Sequence, residues 1–260
     1  MSLPLYQVDA FTDRAFGGNP AAVMPLKEWL PDATMQAIAA ENNLAETAFF
    51  VAEGNDYRLR WFTPTIEIDL CGHATLASGE IILNHLDKRR QDVVFHTRSG
   101  ALTVWRDNGR LVMDFPAEKS APAPDSEIPA VAAALGAEVQ ALQRGWGYIA
   151  VLKDEQTVRD LKPDLAAIHA LPYDVIATAR GGKSDIASRV FVPKYGIPED
   201  PVTGKAHCLL MPYWCAVLGR TTLFARQVSQ RGGELWLTLT GDRVKMAGHA
   251  VLTVTGQFHL

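Results

Sequence analysis

Two stretches decide the reading of this chain: Phe62-Thr-Pro64 followed by Glu67-Ile-Asp-Leu-Cys71-Gly-His-Ala74, and Phe191-Val-Pro193 followed by Glu199-Asp-Pro-Val-Thr203-Gly-Lys-Ala206. The offset between copies is 129 at the first match and 132 at the second, so three residues are inserted between the two matches. Each copy reads as a strand, a short loop, and a glycine opening a helix rich in small residues. Two ordered matches at nearly equal offset point to an internal duplication. Matched halves favour a cleft between domains, where small-molecule sites tend to lie.

Working outward, the first half alternates strands with two helices. Leu5 to Phe11 alternates as a strand does. Gly17-Gly-Asn-Pro20 reads as a turn. Asp32 to Asn43 is expected to be helical, with Met35, Ile38 and Ala39 at i, i+3 and i+4 and Asp32 in the first turn behind Pro31. Ala48–Val51 and Tyr57–Phe62 form a hairpin around Glu53-Gly-Asn-Asp56, and Gly72 to Leu86 is a helix. Strands follow at 92–97, 101–106 and 110–115, the last two joined by Asn108-Gly109, a hairpin turn signal. The proline-rich stretch from about 116 to 126 shows no apolar periodicity and reads as a linker. It separates an N-terminal half, 1–117, from a C-terminal half, 127–260, whose last strand could cross back to the first. The second half follows the same plan as the first. It has a helix near 127–135, strands near 146–152, 174–179 and 187–192, and a long helix from Gly204 to Leu218, stopped by Gly219.

Composition excludes several classes. The 260 residues carry 25 Lys and Arg against 29 Asp and Glu, a formal net charge of -4, which argues against a nucleic-acid binder. At 48% hydrophobic and 21% charged the chain is globular rather than disordered. No apolar run approaches the ~18 residues of a membrane span, and the N-terminus lacks the basic and apolar regions of a secretory leader. Three cysteines make no disulfide framework, which suits a reducing cytoplasm.

The two helix starts are the first candidates for chemistry. A helix N-terminus presents free N–H groups and partial positive charge, so it is a ready anion site. Cys71-Gly72-His73 and Thr203-Gly204-Lys205 both place glycine where backbone can approach a ligand. If the halves face each other, two such starts can converge on one carboxylate. Glu46, between a helix end and the apolar run Ala48-Phe-Phe-Val-Ala52, is either an exposed loop residue or a carboxylate tucked against apolar walls. In the second case desolvation favours its protonated form and suits a proton shuttle near neutrality. His73 sits near a helix N-terminus, where the dipole disfavours the imidazolium, so a neutral donor is expected. Asp69 and Asp200, just upstream of the helix starts, could orient His73 or a substrate amine. Arg98-Ser99-Gly100 is either a hairpin corner or a substrate contact through N–H groups. His207, one turn into the second helix, reads as packing, and Cys208 and Cys215 as small core residues. No metal-ligand spacing, phosphate loop, dinucleotide fingerprint or serine-hydrolase elbow occurs, so neither a metal nor a nucleotide cofactor is implied.

Together, Tyr6-Gln-Val-Asp-Ala-Phe-Thr12, Gly18-Asn-Pro-Ala-Ala-Val23, Asn43-Leu-Ala-Glu-Thr47, Cys71-Gly-His-Ala-Thr75, Thr97-Arg-Ser-Gly100 and Glu199-Asp-Pro-Val-Thr-Gly204 resemble the PhzF family, named for the phenazine-biosynthesis isomerase. Order and spacing match over nearly the whole chain. The resemblance implies a diaminopimelate-epimerase-like α/β (α+β) fold: two pseudo-symmetric domains, each a curved mixed sheet wrapped around a central helix. It implies a cofactor-free, cytoplasmic, homodimeric isomerase acting on a small carboxylated metabolite. By resemblance Glu46 shuttles the proton, and His73 and Asp200 position the substrate and help move protons. Gly72 and Gly204 offer N–H groups to a carboxylate, and Asn19, Ser99 and Gly100 contact substrate. One departure stands out: the pattern has serine after Thr-Gly, and this chain has Lys205. That lysine could bind a second anionic group, act as an acid, or swing to solvent. Two alternatives stay open. One is an amino-acid epimerase or racemase working through two thiols, although Cys71 would face Thr203 rather than a second cysteine. The other is a non-catalytic member that binds a small ligand.

Overall fold

A computed structural model describes residues 1–260. The chain forms two compact units: Met1–Asp114 with Ala247–Leu260, and Phe115–Met246.

The first unit contains β1 (Ser2–Ala10), β2 (Asn19–Leu26), α1 (Asp32–Asn42), β3 (Glu46–Glu53), β4 (Asp56–Phe62), β5 (Glu67–Ile68), α2 (Gly72–Ile81), β6 (Asp92–Thr97), β7 (Gly100–Asp107) and β8 (Arg110–Pro116). The second contains β9 (Ala121–Pro122), α3 (Ile128–Leu135), β10 (Ala141–Arg144), β11 (Tyr148–Val151), α4 (Glu155–Asp160), α5 (Leu165–Ala170), β12 (Val175–Arg180), β13 (Ile186–Phe191), α6 (Gly204–Leu218), β14 (Thr222–Gln227), β15 (Gly233–Thr240) and β16 (Arg243–Gly248). The last strand, β17 (Ala250–His259), runs antiparallel to β1 over its whole length and so belongs to the first unit.

The duplication is visible in strand pairing. In the first unit β2–β3 is parallel, β3–β4 antiparallel, β4–β6 parallel and β6–β7 antiparallel. In the second, β11–β12, β12–β13, β13–β14 and β14–β15 repeat that order. A helix interrupts each series at the same place: α2 between β4 and β6, α6 between β13 and β14.

Each helix is the core of its unit. Every residue of α2 from His73 to Ile81 is buried, and α2 packs against β1, β2, β3, β7 and β17, so the sheet curves around it. Such a helix must be slim. At Gly79 a Cβ would come 2.6 Å from Val104 Cγ1. Its buried hydroxyls are satisfied locally, Ser78 donating to the Ala74 carbonyl at 2.8 Å and Thr75 to that of Cys71 at 2.6 Å. The helix expected through Leu86 is α-helical only to Ile81, and a π-helical turn carries Ile82–Leu86.

Helix α6 contains Pro212, which has no N–H for the carbonyl of Cys208 four residues earlier. The Glu118 N–H donates to that carbonyl at 3.0 Å instead. Residues 116–126, expected to be a linker, are therefore structured: besides this bond, β9 pairs with Gln143 and Arg144, and Ala123 N–H donates to Leu142 O. The expected turn at 17–20 ends two residues early, at Gly18. Gly18 has φ +60°, but Asn19 already opens β2, a strand hidden in the sequence by Pro20 and Pro25. Two short helices, α4 and α5, are too brief to show a period in the sequence. Asp154 and Asp164 cap them by accepting the N–H groups of Thr157 and Ala167.

Both copies of the repeat carry the same ion pair. Arg60 of β4 forks onto Glu67 at 2.7 Å for each oxygen, and Arg189 of β13 onto Glu199 at 2.8 Å for each. Each guanidinium also lies over a ring of the repeat, Arg60 over Phe62 at 5.2 Å and Arg189 over Phe191 at 4.9 Å. Glu67 and Glu199 are each five residues before the residue that starts a central helix. The pairs are shielded: side-chain exposure is 18% and 14% in the first, 13% and 19% in the second. Replacing Arg189 strands Glu199 in a poorly solvated place, whereas Glu67 keeps a second arginine, Arg98, at 2.8 Å. Arg189→Leu should lower unfolding free energy by about 3 kcal/mol in urea titrations, Arg60→Leu should cost less because Arg98 stays on Glu67, and lysine at either position should restore only part, lacking the two-pronged geometry.

Candidate active site

In the first unit the site is assembled from three element starts. Asn43, with φ +50°, ends α1 in the left-handed conformation and returns its N–H to Ala39 O. The chain turns, and Glu46 becomes the first residue of β3, beside Ala21 of β2. Asn19 opens β2, and Cys71, extended at φ -142°, precedes α2. His73 is the second residue of α2.

These residues converge. His73 Nε2 lies 2.9 Å from Glu46 Oε2, with side-chain exposures of 7% and 16%. The other ring nitrogen, Nδ1, is 3.2 Å from Asn19 Nδ2 and 3.5 Å from Cys71 Sγ. Glu46 is thus neither a loop carboxylate nor one set among apolar walls alone; it has a charged partner.

The electrostatics correct the expectation of a neutral His73. Burial opposes its charged form, but the neighbouring Cys71 and Glu46 outweigh that, and its pKa rises well above 6.5. Cys71 moves the opposite way from a reactive thiol: burial first, then the Glu46 charge, pushes its pKa up. Glu46, Cys71 and His73 also offer three donor atoms within 4.8 Å of one another. A metal needs a thiolate and a neutral imidazole. Binding an ion here would release the protons held by Cys71 and His73.

The second unit builds its helix start differently. Thr203 Oγ1 donates to Asp200 Oδ2 at 2.6 Å. Gln227, fully buried on β14, accepts the Thr203 N–H at 2.9 Å and donates to Asp200 O at 2.6 Å. Asp200 itself is fixed by its N–H to Val190 O. Gly204 is buried at the first position of α6. Lys205 is exposed, and its Nζ lies 4.8 Å from the centre of the Trp146 ring. His207 packs, as expected: its Nδ1 lies 2.8 Å from Thr203 O, and burial brings its pKa down to about 4. Gln227 and Trp146 were not legible as site residues, since a lone glutamine in a strand and a tryptophan beside glycines carry no local signal.

Ser99 and Gly100 form a hairpin corner, Gly100 having φ +97°. The Ser99 hydroxyl donates to Asp69 O at 2.8 Å. Asp69 lies 3.8 Å from Arg98, which also pairs with Glu67 at 2.8 Å. Asp69 therefore does not orient His73. The corner is tied to the segment leading into Cys71.

Two α/β units of repeated topology, one holding a shielded carboxylate–imidazole pair at the start of its central helix, define the architecture against which known proteins compare. The family model described as phenazine biosynthesis-like protein (PhzC-PhzF) matches residues 8–256, and the chain belongs to that family. Two uncharacterized isomerases of Pseudomonas aeruginosa are each 48% identical, with 100% of both chains covered. A human phenazine biosynthesis-like domain-containing protein is 36% identical over 98% of this chain and 99% of that protein. Among solved structures, a PhzF-family protein of Enterococcus faecalis superposes with a TM-score of 0.97 at 47% identity, covering 100% of each chain. A hydroxyproline epimerase of Agrobacterium vitis, 9% identical over 98% of this chain and 92% of its own, has a TM-score of 0.61 and so shares the fold alone.

The raised His73 pKa has a signed consequence. A histidine whose pKa is higher folded than unfolded adds stability fully below its unfolded value, about 6.5. That stability is lost as pH rises through the folded value. Imidazole NMR of the wild type should therefore show His73 still cationic at neutral pH. Glu46→Gln should lower its titration midpoint, and a midpoint unmoved by that change would remove Glu46 as the cause.

Proposed function

We propose that the protein is a cofactor-independent isomerase that moves a proton between two carbons of a small carboxylated metabolite, with Glu46 as the acid/base. Membership in a family whose relatives are named isomerases supports the reaction class. The observation that carries the residue assignment is the shielded 2.9 Å contact between Glu46 and His73. In this reading Glu46 takes a proton from one substrate carbon as the electrons shift into the adjacent π system, and returns it to another. His73, whose Nδ1–H donates to Cys71 Sγ on its far side, holds Glu46 in place and balances its charge. The N–H groups of Gly72 and of Gly204 each offer an anion site at the start of their own helix, and Asp200 acts through Thr203. Ser99 and Gly100 act by setting the approach to Cys71 rather than by direct chemistry. Lys205, lying over Trp146, selects among substrates. The reading carries with it a cytoplasmic homodimer, as the sequence resemblance implied.

An epimerase working through two thiols is supported less well. Cys71 is kept protonated, and its counterpart in the repeat is Thr203, whose hydroxyl already donates to Asp200. A hydroxyl is also a far weaker acid than a thiol.

Deuterium incorporation from D₂O, followed by NMR across acids with activated C–H bonds and common amino acids, tests the assignment. Wild type should exchange one class of compound. Glu46→Gln should lose roughly 10²–10⁴-fold of that rate while keeping its melting temperature. Cys71→Ala should retain most of it. Undiminished exchange in Glu46→Gln would sink the proposed role of Glu46, and full loss in Cys71→Ala would favour thiol chemistry.

A further inference from the structure

The second unit holds a cavity that none of this chemistry uses. It lies where the start of α4, the turn joining β12 to β13, and strand β14 meet, with a volume of about 710 Å³. Its wall carries five cations, Lys153, Arg159, Arg180, Lys183 and Arg226, and two acids, Asp154 and Glu155, a local charge of +3 in a chain whose net charge is -4.

Both acids are already engaged. Asp154 accepts the N–H and hydroxyl of Thr157, each at 2.8 Å. Glu155 accepts Arg159 at 2.8 Å through one oxygen and the Gly182 N–H at 2.6 Å through the other. That second bond fixes the turn carrying Arg180 and Lys183 against α4. The turn is tight as well, since a Cβ on Gly181 would come 2.3 Å from Ser184 Oγ. Arg226 is 3.5 Å from Glu234. Lys153, Arg180 and Lys183 are left with no carboxylate in ion-pair contact. Three such cations on a concave wall repel one another and raise the local concentration of anions.

The lining is polar, with no aromatic or large aliphatic side chain, so recognition here is ionic rather than hydrophobic. The volume is that of a small-molecule site. Guanidinium forks and lysine ammonium groups together suit phosphoryl oxygens. We propose that this cavity is a second ligand site, separate in chemistry from Glu46 and His73, that takes a small oligoanion carrying a diphosphate.

Titration calorimetry with inorganic pyrophosphate at low ionic strength, beside equimolar chloride and ADP, tests it. Saturable pyrophosphate binding is expected, weakening as salt is added, with ADP bound at least as well because it presents the same diphosphate. The double variant Arg180→Ala, Lys183→Ala should weaken pyrophosphate binding at least about tenfold, with the melting temperature checking that it folds; Lys153→Ala alone serves if it does not. Glu46→Gln should bind as wild type does. No saturable binding of pyrophosphate by the wild type, or undiminished binding by the folded wall variants, overturns the proposal.

Discussion

The arginine–glutamate fork ahead of each central helix is the constraint on which the rest depends. A buried helix of small residues can slide or rotate with little change in packing, because small side chains interlock weakly. Something must fix where it begins. Arg60 and Arg189 do so from the preceding strand by holding Glu67 and Glu199, each five residues before the helix start. Shielded ion pairs of this kind add little net stability, because desolvation offsets most of the Coulomb gain. Their effect is positional. The aromatic ring beneath each guanidinium holds it flat and keeps water from one face. Misplacing His73 by an ångström would break a contact made at 2.9 Å.

On this shared frame the two helix starts have diverged electrostatically. In the first unit the residue after glycine is a buried histidine whose pKa is raised, against the expectation from the helix dipole alone. Magnitudes explain why. The dipole penalty is about 0.3–1 kcal/mol. Opposite charges 4 Å apart interact by roughly 4 kcal/mol at an effective dielectric of 20, and Glu46 is nearer than that. In the second unit the histidine one turn into the helix has no carboxylate beside it, and burial alone decides, bringing it to about 4. One helix start is thus built around an ion pair and the other around neutral hydrogen bonds from Thr203 and Gln227.

Much of this was legible because the signals were local. The glycine-opened helices, the hairpin at Asn108-Gly109 and the repeat itself all rest on short-range chemistry, and they fold where the residues point. What escaped was tertiary. Strand β2 has no alternation because both its faces are covered, and its two prolines read as loop. The proline-rich stretch after β8 looked like a linker because nothing in its own sequence shows that Pro212, nearly a hundred residues later, leaves a carbonyl for Glu118 to fill. The same limit applied to the site. Glu46 and His73 could be singled out one by one, but the charge on His73 depends on a distance that no spacing encodes.

Under the proposed reaction, that charge answers a difficulty of single-base isomerisation. A base that removes a proton from one atom and delivers it to another must hold the proton in between without losing it to solvent. It must also stay near both atoms in its charged and its neutral form. A carboxylate alone would swing as its charge changed. An imidazolium whose Nδ1–H donates to Cys71 Sγ at 3.5 Å supplies a stationary partner. A neutral histidine would attract the carboxylate less, and an exposed pair would exchange its proton with water. The burial that disfavours a charged His73, and the carboxylate that restores the charge, are therefore parts of one arrangement: the first excludes solvent, and the second keeps the cation that holds the base in position.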